Sequence, residues 1–163
     1  MNSKKINKTQ SGRGYLFRVS ASDICNYDCQ FCHPTTNESV TKLTDEEFLK
    51  VFKMINDLYK LKTLHFTGGE PLMRKTLPEV IKQCRMIAGE ELDIAMTTNA
   101  ALLEDKLDEL LEAGLTRANI SFHSIDDEKY QQFTGSKTKV EDMKRTIHKA
   151  KEAGLGIKVN SVV

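Results

Sequence analysis

Short apolar runs alternate along the chain with segments in which apolar residues recur at helical spacing. Runs that are rich in apolar and β-branched residues are typical of strands. Five such runs predict strands at residues 15–20, 63–67, 92–97, 118–122 and 156–163. Because parallel strands need long crossover connections, this alternation predicts an α/β fold with a parallel sheet.

Four amphipathic helices are predicted between these strands, and their ends carry recognisable signals. Thr44 and Glu47 form a capping box before the first helix. Thr76 is the expected cap of the second helix, and Gly114 and Gly154 follow the third and fourth. The apolar face of the first helix is predicted to consist of Phe48, Val51, Phe52, Ile55 and Leu58. The segment after the fourth strand is polar and is predicted to contain no element.

The unusual residues follow the carboxyl ends of the predicted strands, where parallel α/β sheets place their chemistry. Three cysteines follow the first strand, a Gly-Gly-Glu-Pro sequence follows the second, and Thr97, Thr98 and Asn99 end the third. Five strands cannot close an eight-stranded barrel. We therefore expect the N-terminal part of a longer domain, or a partner that covers the last strand.

Composition narrows the classes of function. The 24 basic and 23 acidic residues nearly cancel, so the broad basic field of a nucleic-acid-binding protein is absent. No apolar run is long enough for a membrane span, and the N-terminus lacks the apolar core of a secretory signal. We expect a cytoplasmic protein with a flexible basic tail at residues 1–14 and a core domain at residues 15–163.

Cysteine spacing provides the strongest chemical signal. Cys25, Cys29 and Cys32 form a C-x3-C-x2-C triplet, whereas Cys84 falls on the apolar face of a predicted helix. Three thiolates can bind three corners of an iron–sulfur cube and leave one iron open. The alternative is a structural zinc site completed by Cys84 or His33, although only one C-x2-C pair is present.

The triplet, with Phe31 before its third cysteine, resembles the signature of the radical S-adenosylmethionine (radical SAM) superfamily. Gly68, Gly69, Glu70 and Pro71 stand one βα unit later, where that superfamily has its Gly-Gly-Glu motif. Within it, the sequence is similar to the GTP 3′,8-cyclases of molybdenum-cofactor synthesis. The matching stretches are residues 15–32, 66–74, 96–99, 119–121 and 157–160. The resemblance implies a partial (β/α) barrel with about five βα units.

This resemblance also implies cofactors. Radical SAM proteins hold a 4Fe–4S cluster on three thiolates, and SAM chelates the fourth iron. An electron from an external donor cleaves SAM, and the resulting 5′-deoxyadenosyl radical abstracts hydrogen from the substrate. By similarity, Cys25, Cys29 and Cys32 are the cluster ligands. The implied SAM contacts are the backbone of Phe31, the backbone of Gly69 and the hydroxyl of Ser121.

The resemblance is less complete at the residues that contact the substrate in the cyclases. Arg18, Thr97 and Lys158 match residues that contact GTP in the cyclases. His65, however, stands where the cyclases have arginine, and His123 where they have an acidic residue. The cyclases also carry a second cysteine triplet in a C-terminal half, which this sequence does not include.

Two alternatives to a GTP 3′,8-cyclase-like lyase therefore stay open. One is a radical SAM enzyme that acts on a peptide, a nucleoside or another small metabolite. The other is a non-catalytic zinc- or cluster-binding module.

Overall fold

The strands form one parallel sheet, as the alternation of elements predicts. The computed structural model describes residues 14–32 and 43–162. Within these ranges the strands are β1 (Leu16–Ser22), β2 (Thr63–Gly68), β3 (Asp93–Thr98), β4 (Arg117–Ser121) and β5 (Gly156–Asn160). They pair in sequence order, and every pair is parallel. In the described part of the chain β1 and β5 each have one neighbour, so the sheet is open. The predicted fold class is confirmed.

Helices connect the strands. They are α1 (Asp45–Tyr59), α2 (Leu77–Ala88), α3 (Leu103–Glu112), α4 (Asp127–Thr134) and α5 (Val140–Glu152), and a short 3-10 helix (Pro71–Met73) follows β2. The capping box of α1 is present, because Thr44 accepts from the Glu47 N–H and Glu47 accepts from the Thr44 N–H. The predicted cap of α2 is correct in position, but its side-chain hydrogen bond is absent. Thr76 occupies the N-cap position without a side-chain capping bond, and Pro78 lies in the first turn.

Helix α4 lies in the segment that was predicted to contain no element. Asp126 caps it by accepting from the Lys129 N–H at 2.9 Å, and Gly135 ends it with a left-handed φ of 62°. Tyr130 is fully buried, but most of the remaining side chains of α4 are polar. An eight-residue helix with so few apolar residues gives almost no periodic signal, which is why the pattern missed it.

The two faces of the sheet differ in polarity. The face beneath the helices is apolar and contributes fully buried side chains to the core: Leu64, Phe66, Ile94, Met96, Ala118 and Ile120. Side chains at alternate positions point to the other face, and paired residues share a face. Register therefore places Arg18, His65, Thr97, Asn119 and Lys158 together on a polar face. Such a face corresponds to the inner side of a (β/α) barrel.

One position of the predicted apolar stripe of α1 is wrong. Phe48, Phe52 and Asn56 are the buried positions, whereas Leu58 is 69% exposed. Asn56 lies four residues after Phe52 on the same buried stripe. A polar side chain can be buried there because its Oδ1 accepts a hydrogen bond, at 3.2 Å, from the Leu61 N–H beyond the helix end. Among the described helices, we find none with the length and apolar character that a bilayer crossing requires.

We expect Leu64→Ala to lower the free energy of unfolding by ~2–5 kcal/mol, because it leaves a cavity under the middle of the sheet. Leu58→Ala is the matched control, and its effect should stay within ~0.5 kcal/mol because that side chain is exposed. Chemical denaturation of both variants measures the difference. Equal losses would contradict this assignment of the core.

Candidate functional site

A cavity of about 170 Å³ opens at the carboxyl ends of the strands. Its lining joins the cysteine loop (residues 25–32), the turn after β2, the ends of β3 and β4, and α4. The sequence-predicted residues that line it are Cys25, Cys29, Cys32, Phe31, Gly69, Thr97, Ser121 and His123. The fold thus brings most of the predicted site residues into one place.

The Gly-Gly turn supports one side of the cysteine loop. The N–H groups of Gly69 and Glu70 donate to the carbonyl oxygens of Ser22 at 2.7 Å and Ile24 at 2.8 Å. A Cβ at Gly69 would lie 2.4 Å from the Ile24 oxygen, and one at Gly68 would lie 2.2 Å from the Ser22 oxygen. Both glycines are therefore required by the close approach of the chain's own backbone.

Helix α4 supports the other side of this loop. The Asp28 N–H donates to the Thr134 carbonyl at 3.1 Å, and the Gln30 N–H donates to the Phe133 carbonyl at 3.0 Å. A Cβ at Gly135 would lie 2.5 Å from the Asp28 oxygen. The end of α4 consequently satisfies two backbone donors of the cysteine loop and fixes its distance from the sheet.

Three of the four thiols face the same cavity. Burial raises the pKa of Cys25, and burial together with the neighbouring Cys25 and Cys32 thiols raises the pKa of Cys29 to about 11. Cys84 is fully buried in the core, where burial raises its pKa to about 12, and it does not line the cavity. Its predicted core position is confirmed. His33 lies outside the described residues.

The donor set fits a cluster better than a single ion. Within residues 14–32 and 43–162, no three His, Cys, Asp or Glu side chains converge as ligands of one metal ion. A 4Fe–4S cube does not require such convergence, because each thiolate binds a different iron. Tyr130 also lines the cavity, and its buried hydroxyl has no hydrogen-bond partner of good geometry among the described residues.

Glu70 fixes the ends of β2 and β3 relative to each other. One carboxylate oxygen accepts from the Leu72 N–H at 3.1 Å and the Thr98 hydroxyl at 2.7 Å, and the other accepts from the Asn99 N–H at 2.8 Å. Its side chain is almost completely buried, and burial raises its pKa. The extended backbone of Glu70 before Pro71 keeps the turn open.

Phe31 and His123 belong to a small aromatic group beside the cysteines. The Phe31 ring stacks on Phe133 with centroids 4.8 Å apart and meets the edge of His123 at 5.1 Å. His123 Nδ1 accepts from the Val162 N–H at 3.2 Å, and burial lowers the pKa of this histidine. The imidazole at this position is therefore neutral near pH 7 and contacts both α4 and the cysteine loop.

The predicted substrate residues are less tightly grouped. His65 Nε2 lies 2.8 Å from Thr97 Oγ1, and Arg18 is the register neighbour of His65. Burial lowers the pKa of His65, and the charges of Arg18 and Arg117 lower it further. Lys158 is on the edge strand β5 and is exposed. Of Arg18, His65, Thr97 and Lys158, only Thr97 lines the cavity itself.

Sequence reasoning assigned no role to three features of this region. Arg117 pairs with Asp93 on the polar face, with nitrogen–oxygen distances of 2.9 Å. It was overlooked because the fourth strand was predicted to begin at Ala118. Asn99 and Tyr130 approach the cysteine loop from β3 and α4. The position of Asn99 at a strand end was visible in the sequence, whereas Tyr130 depended on a helix that the pattern did not show.

Comparison with known proteins agrees with the geometry. The family description "Radical SAM superfamily" matches residues 19–163. GTP 3′,8-cyclase of Aquifex aeolicus is 36% identical over 156 residues, which cover 91% of this chain and 47% of that protein. Probable GTP 3′,8-cyclase of Methanococcus aeolicus is 38% identical over 153 residues, which cover 90% and 49%. The chain spans about half the length of the curated relatives that it matches.

A solved structure shows the same fold. Streptococcus suis SuiB bound to S-adenosylmethionine superposes with a TM-score of 0.76 at 16% identity, covering 91% of this chain and 34% of that one. At this identity the likeness concerns the fold alone. The family match, which extends from β1 to the last residue, carries the assignment: the chain belongs to the radical SAM superfamily.

Proposed function

We propose that this chain provides the cluster- and SAM-binding part of a GTP 3′,8-cyclase-like enzyme. The observation that carries the proposal is that three thiols line one cavity with Gly69, Ser121 and Thr97 at the carboxyl ends of parallel strands. When bound, the cluster would pass one electron from an external donor to SAM, whose S–C5′ bond would break to give methionine and a 5′-deoxyadenosyl radical. The residues of the chain hold and orient these groups and the substrate.

Cys25, Cys29 and Cys32 are the proposed cluster ligands. Burial raises the pKa of Cys25 and Cys29 and so favours the neutral thiol form of these two ligands, which must release their protons when metal is loaded. The loop that carries them is held from both sides, by the Gly-Gly turn and by α4. A loop that is held in advance loses little conformational entropy when a cluster binds.

SAM is proposed to lie against Phe31, Gly69 and Ser121. The Gly69 N–H is already donated to Ser22, so a ligand amino group would meet the Gly69 carbonyl oxygen. The hydroxyl of Ser121 can donate to a ligand carboxylate. The Phe31 ring is stacked on Phe133, which fixes the backbone that the adenine is proposed to contact.

GTP is the proposed substrate because relatives with 36% and 38% identity carry the cyclase name. The polar face offers the charges of Arg18 and Lys158 to a triphosphate, and Thr97 supplies a hydroxyl at the cavity. A small-molecule substrate fits this face, which lies on the side of the sheet opposite the helical core. The electron donor is proposed to be an external protein or reductant.

A second candidate is a radical SAM enzyme that acts on another small molecule. It is favoured by one observation: His65, whose pKa is lowered by burial, bonds to Thr97 at the position where the cyclases have a permanently charged arginine. With Nε2 bonded to Thr97, a neutral His65 has one ring nitrogen, Nδ1, left to donate or accept a hydrogen bond. It carries no charge, so it suits an uncharged substrate group.

Purified without oxygen and reconstituted, the protein should contain about four iron and four sulfide per chain. Substituting Cys25, Cys29 or Cys32 by alanine should remove most of this content, whereas the control Cys84→Ala should keep it because Cys84 does not line the cavity. Iron and sulfide analysis measures both. One zinc per chain and no sulfide would instead support the non-catalytic module.

The Gly135→Ala variant should displace the cysteine loop, because the new methyl group would lie 2.5 Å from the Asp28 oxygen. We expect faster hydrogen exchange at Asp28 and Gln30 and at least a severalfold faster loss of iron to a chelator. Gly154→Ala is the matched control, since Gly154 also has a positive φ but has no heavy atom within 4 Å of its Cβ position. Wild-type exchange at Asp28 and Gln30 in Gly135→Ala would refute the contact.

In the SAM-loaded protein, Lys158→Ala should weaken GTP binding by about tenfold to a hundredfold, because a hydrogen bond to a charged group contributes ~1.5–3 kcal/mol. Lys151→Ala, on the exposed side of α5, is the control and should leave the affinity unchanged. Calorimetry measures both. A full-length form that binds the cluster and SAM but not GTP would exclude the cyclase function and favour the second candidate.

A further inference from the structure

The side chain of Asn99 reaches from the end of β3 to the cysteine loop. Its Nδ2 lies 3.7 Å from Cys25 Sγ and 2.8 Å from Asn26 Oδ1. The residue is nine-tenths buried. Cys25 Sγ also accepts from the Tyr27 backbone N–H at 3.4 Å. The Cys25 sulfur therefore has two N–H donors within hydrogen-bonding distance.

The orientation of this carboxamide is determined by its surroundings. Asn99 Oδ1 accepts from the Ala101 N–H at 3.1 Å, so the NH2 group must point the other way, towards the cysteine loop. The Asn99 backbone N–H is held by Glu70 at 2.8 Å. An exchange of the amide oxygen and nitrogen would break the Ala101 bond and place an oxygen against both Asn26 Oδ1 and the sulfur.

The backbone after Asn99 adopts an unusual conformation that keeps the Asn99 carboxamide in place. Ala100 has a φ of 62°, in the left-handed region that alanine rarely adopts, and it is almost fully buried. Its N–H donates to the Thr98 hydroxyl at 2.9 Å, and that hydroxyl in turn donates to Glu70. Unfavourable backbone geometry persists only where the surroundings enforce it, and it is common at functional sites.

The three thiols differ in the hydrogen bonds that their sulfur atoms accept. Among the described residues, Cys25 accepts a hydrogen bond from a side-chain amide, and neither Cys29 nor Cys32 does. A donor to a ligating sulfur draws electron density from the metal–sulfur bond. It therefore favours the more negative, reduced state of a cluster.

We propose that Asn99 is a positioning residue for the Cys25 sulfur, whose N–H···S bond fixes that ligand and raises the midpoint potential of the bound cluster. The inference rests on the proposed role of Cys25 as a cluster ligand. It adds a residue outside the cysteine triplet and the Gly-Gly-Glu turn, and it connects that turn to the metal ligand through Glu70.

Two variants test it. Asn99→Asp retains the oxygen that accepts from Ala101 and loses the donor, and Asn99→Ala removes the carboxamide without adding charge. The reconstituted protein is titrated with reductant in the absence of SAM, and the reduced cluster is monitored by electron paramagnetic resonance. The titration adds one electron to the cluster and breaks no bond. We expect a more negative midpoint potential in both variants and faster iron loss to a chelator.

Asn56→Asp is the matched control. Asn56 is as buried as Asn99, and its Oδ1 likewise accepts a backbone N–H, that of Leu61, but it lies at the end of α1. This control should keep the wild-type potential even if it is less stable. A wild-type potential together with wild-type cluster retention in Asn99→Ala would overturn the proposal.

If the Asn99 variants fail to fold, the proposal can still be tested on wild-type protein labelled with ¹⁵N at the asparagine carboxamides. Pulsed electron paramagnetic resonance of the reduced wild-type cluster should show a ¹⁵N hyperfine coupling that survives Asn26→Asp. No coupling in the wild-type protein would also overturn the proposal. Wild-type protein that assembles no cluster at all would instead refute the proposed function, so the two failures are distinguishable.

Discussion

The Glu70 carboxylate is the interaction on which the geometry of the site depends. It is buried, and its two oxygens accept from Leu72, Thr98 and Asn99. A buried carboxylate is costly unless it is hydrogen-bonded, and here the bonds come from the chain that follows two different strands. The same turn donates its own N–H groups to residues 22 and 24, which lead into the cysteine loop. The Glu70 side chain therefore joins the ends of β2 and β3, and the backbone of the same turn joins them to the end of β1.

The cysteine loop has no regular structure of its own and takes its shape from what surrounds it. The Gly-Gly turn approaches it so closely that a Cβ atom cannot be accommodated, and the end of α4 supplies two carbonyl acceptors on the opposite side. Hydrogen bonds from fixed elements replace the internal bonds that a helix or strand would provide. The proposed metal site is therefore defined by long-range contacts, although its three cysteines lie within eight residues of each other.

The sequence alone predicts the strands, their parallel direction and four of the helices, because each has a clear period or a capping signal. The unusual spacing of the cysteines also predicts a metal site, and the resemblance to radical SAM proteins predicts that the Gly-Gly-Glu turn lies beside it. The sequence does not predict α4, whose short polar sequence has little periodicity, or the exposure of Leu58, which depends on how α1 sits on the sheet. The contacts of Asn99 and Arg117 were also unpredictable, because they join residues that are distant in the sequence. Local patterns determine elements, whereas contacts between strand ends require the assembled sheet.

The alternation of polar and apolar residues across the sheet has a consequence for how such a protein can diversify. His65 and Phe66 are neighbours in the chain but belong to opposite faces, so a change at one need not disturb the packing around the other. Five strands thus offer a set of alternate positions at which new ligand preferences can be acquired by point substitution. An insertion of one residue within a strand, by contrast, would exchange the two faces beyond it and destroy both the core and the cavity.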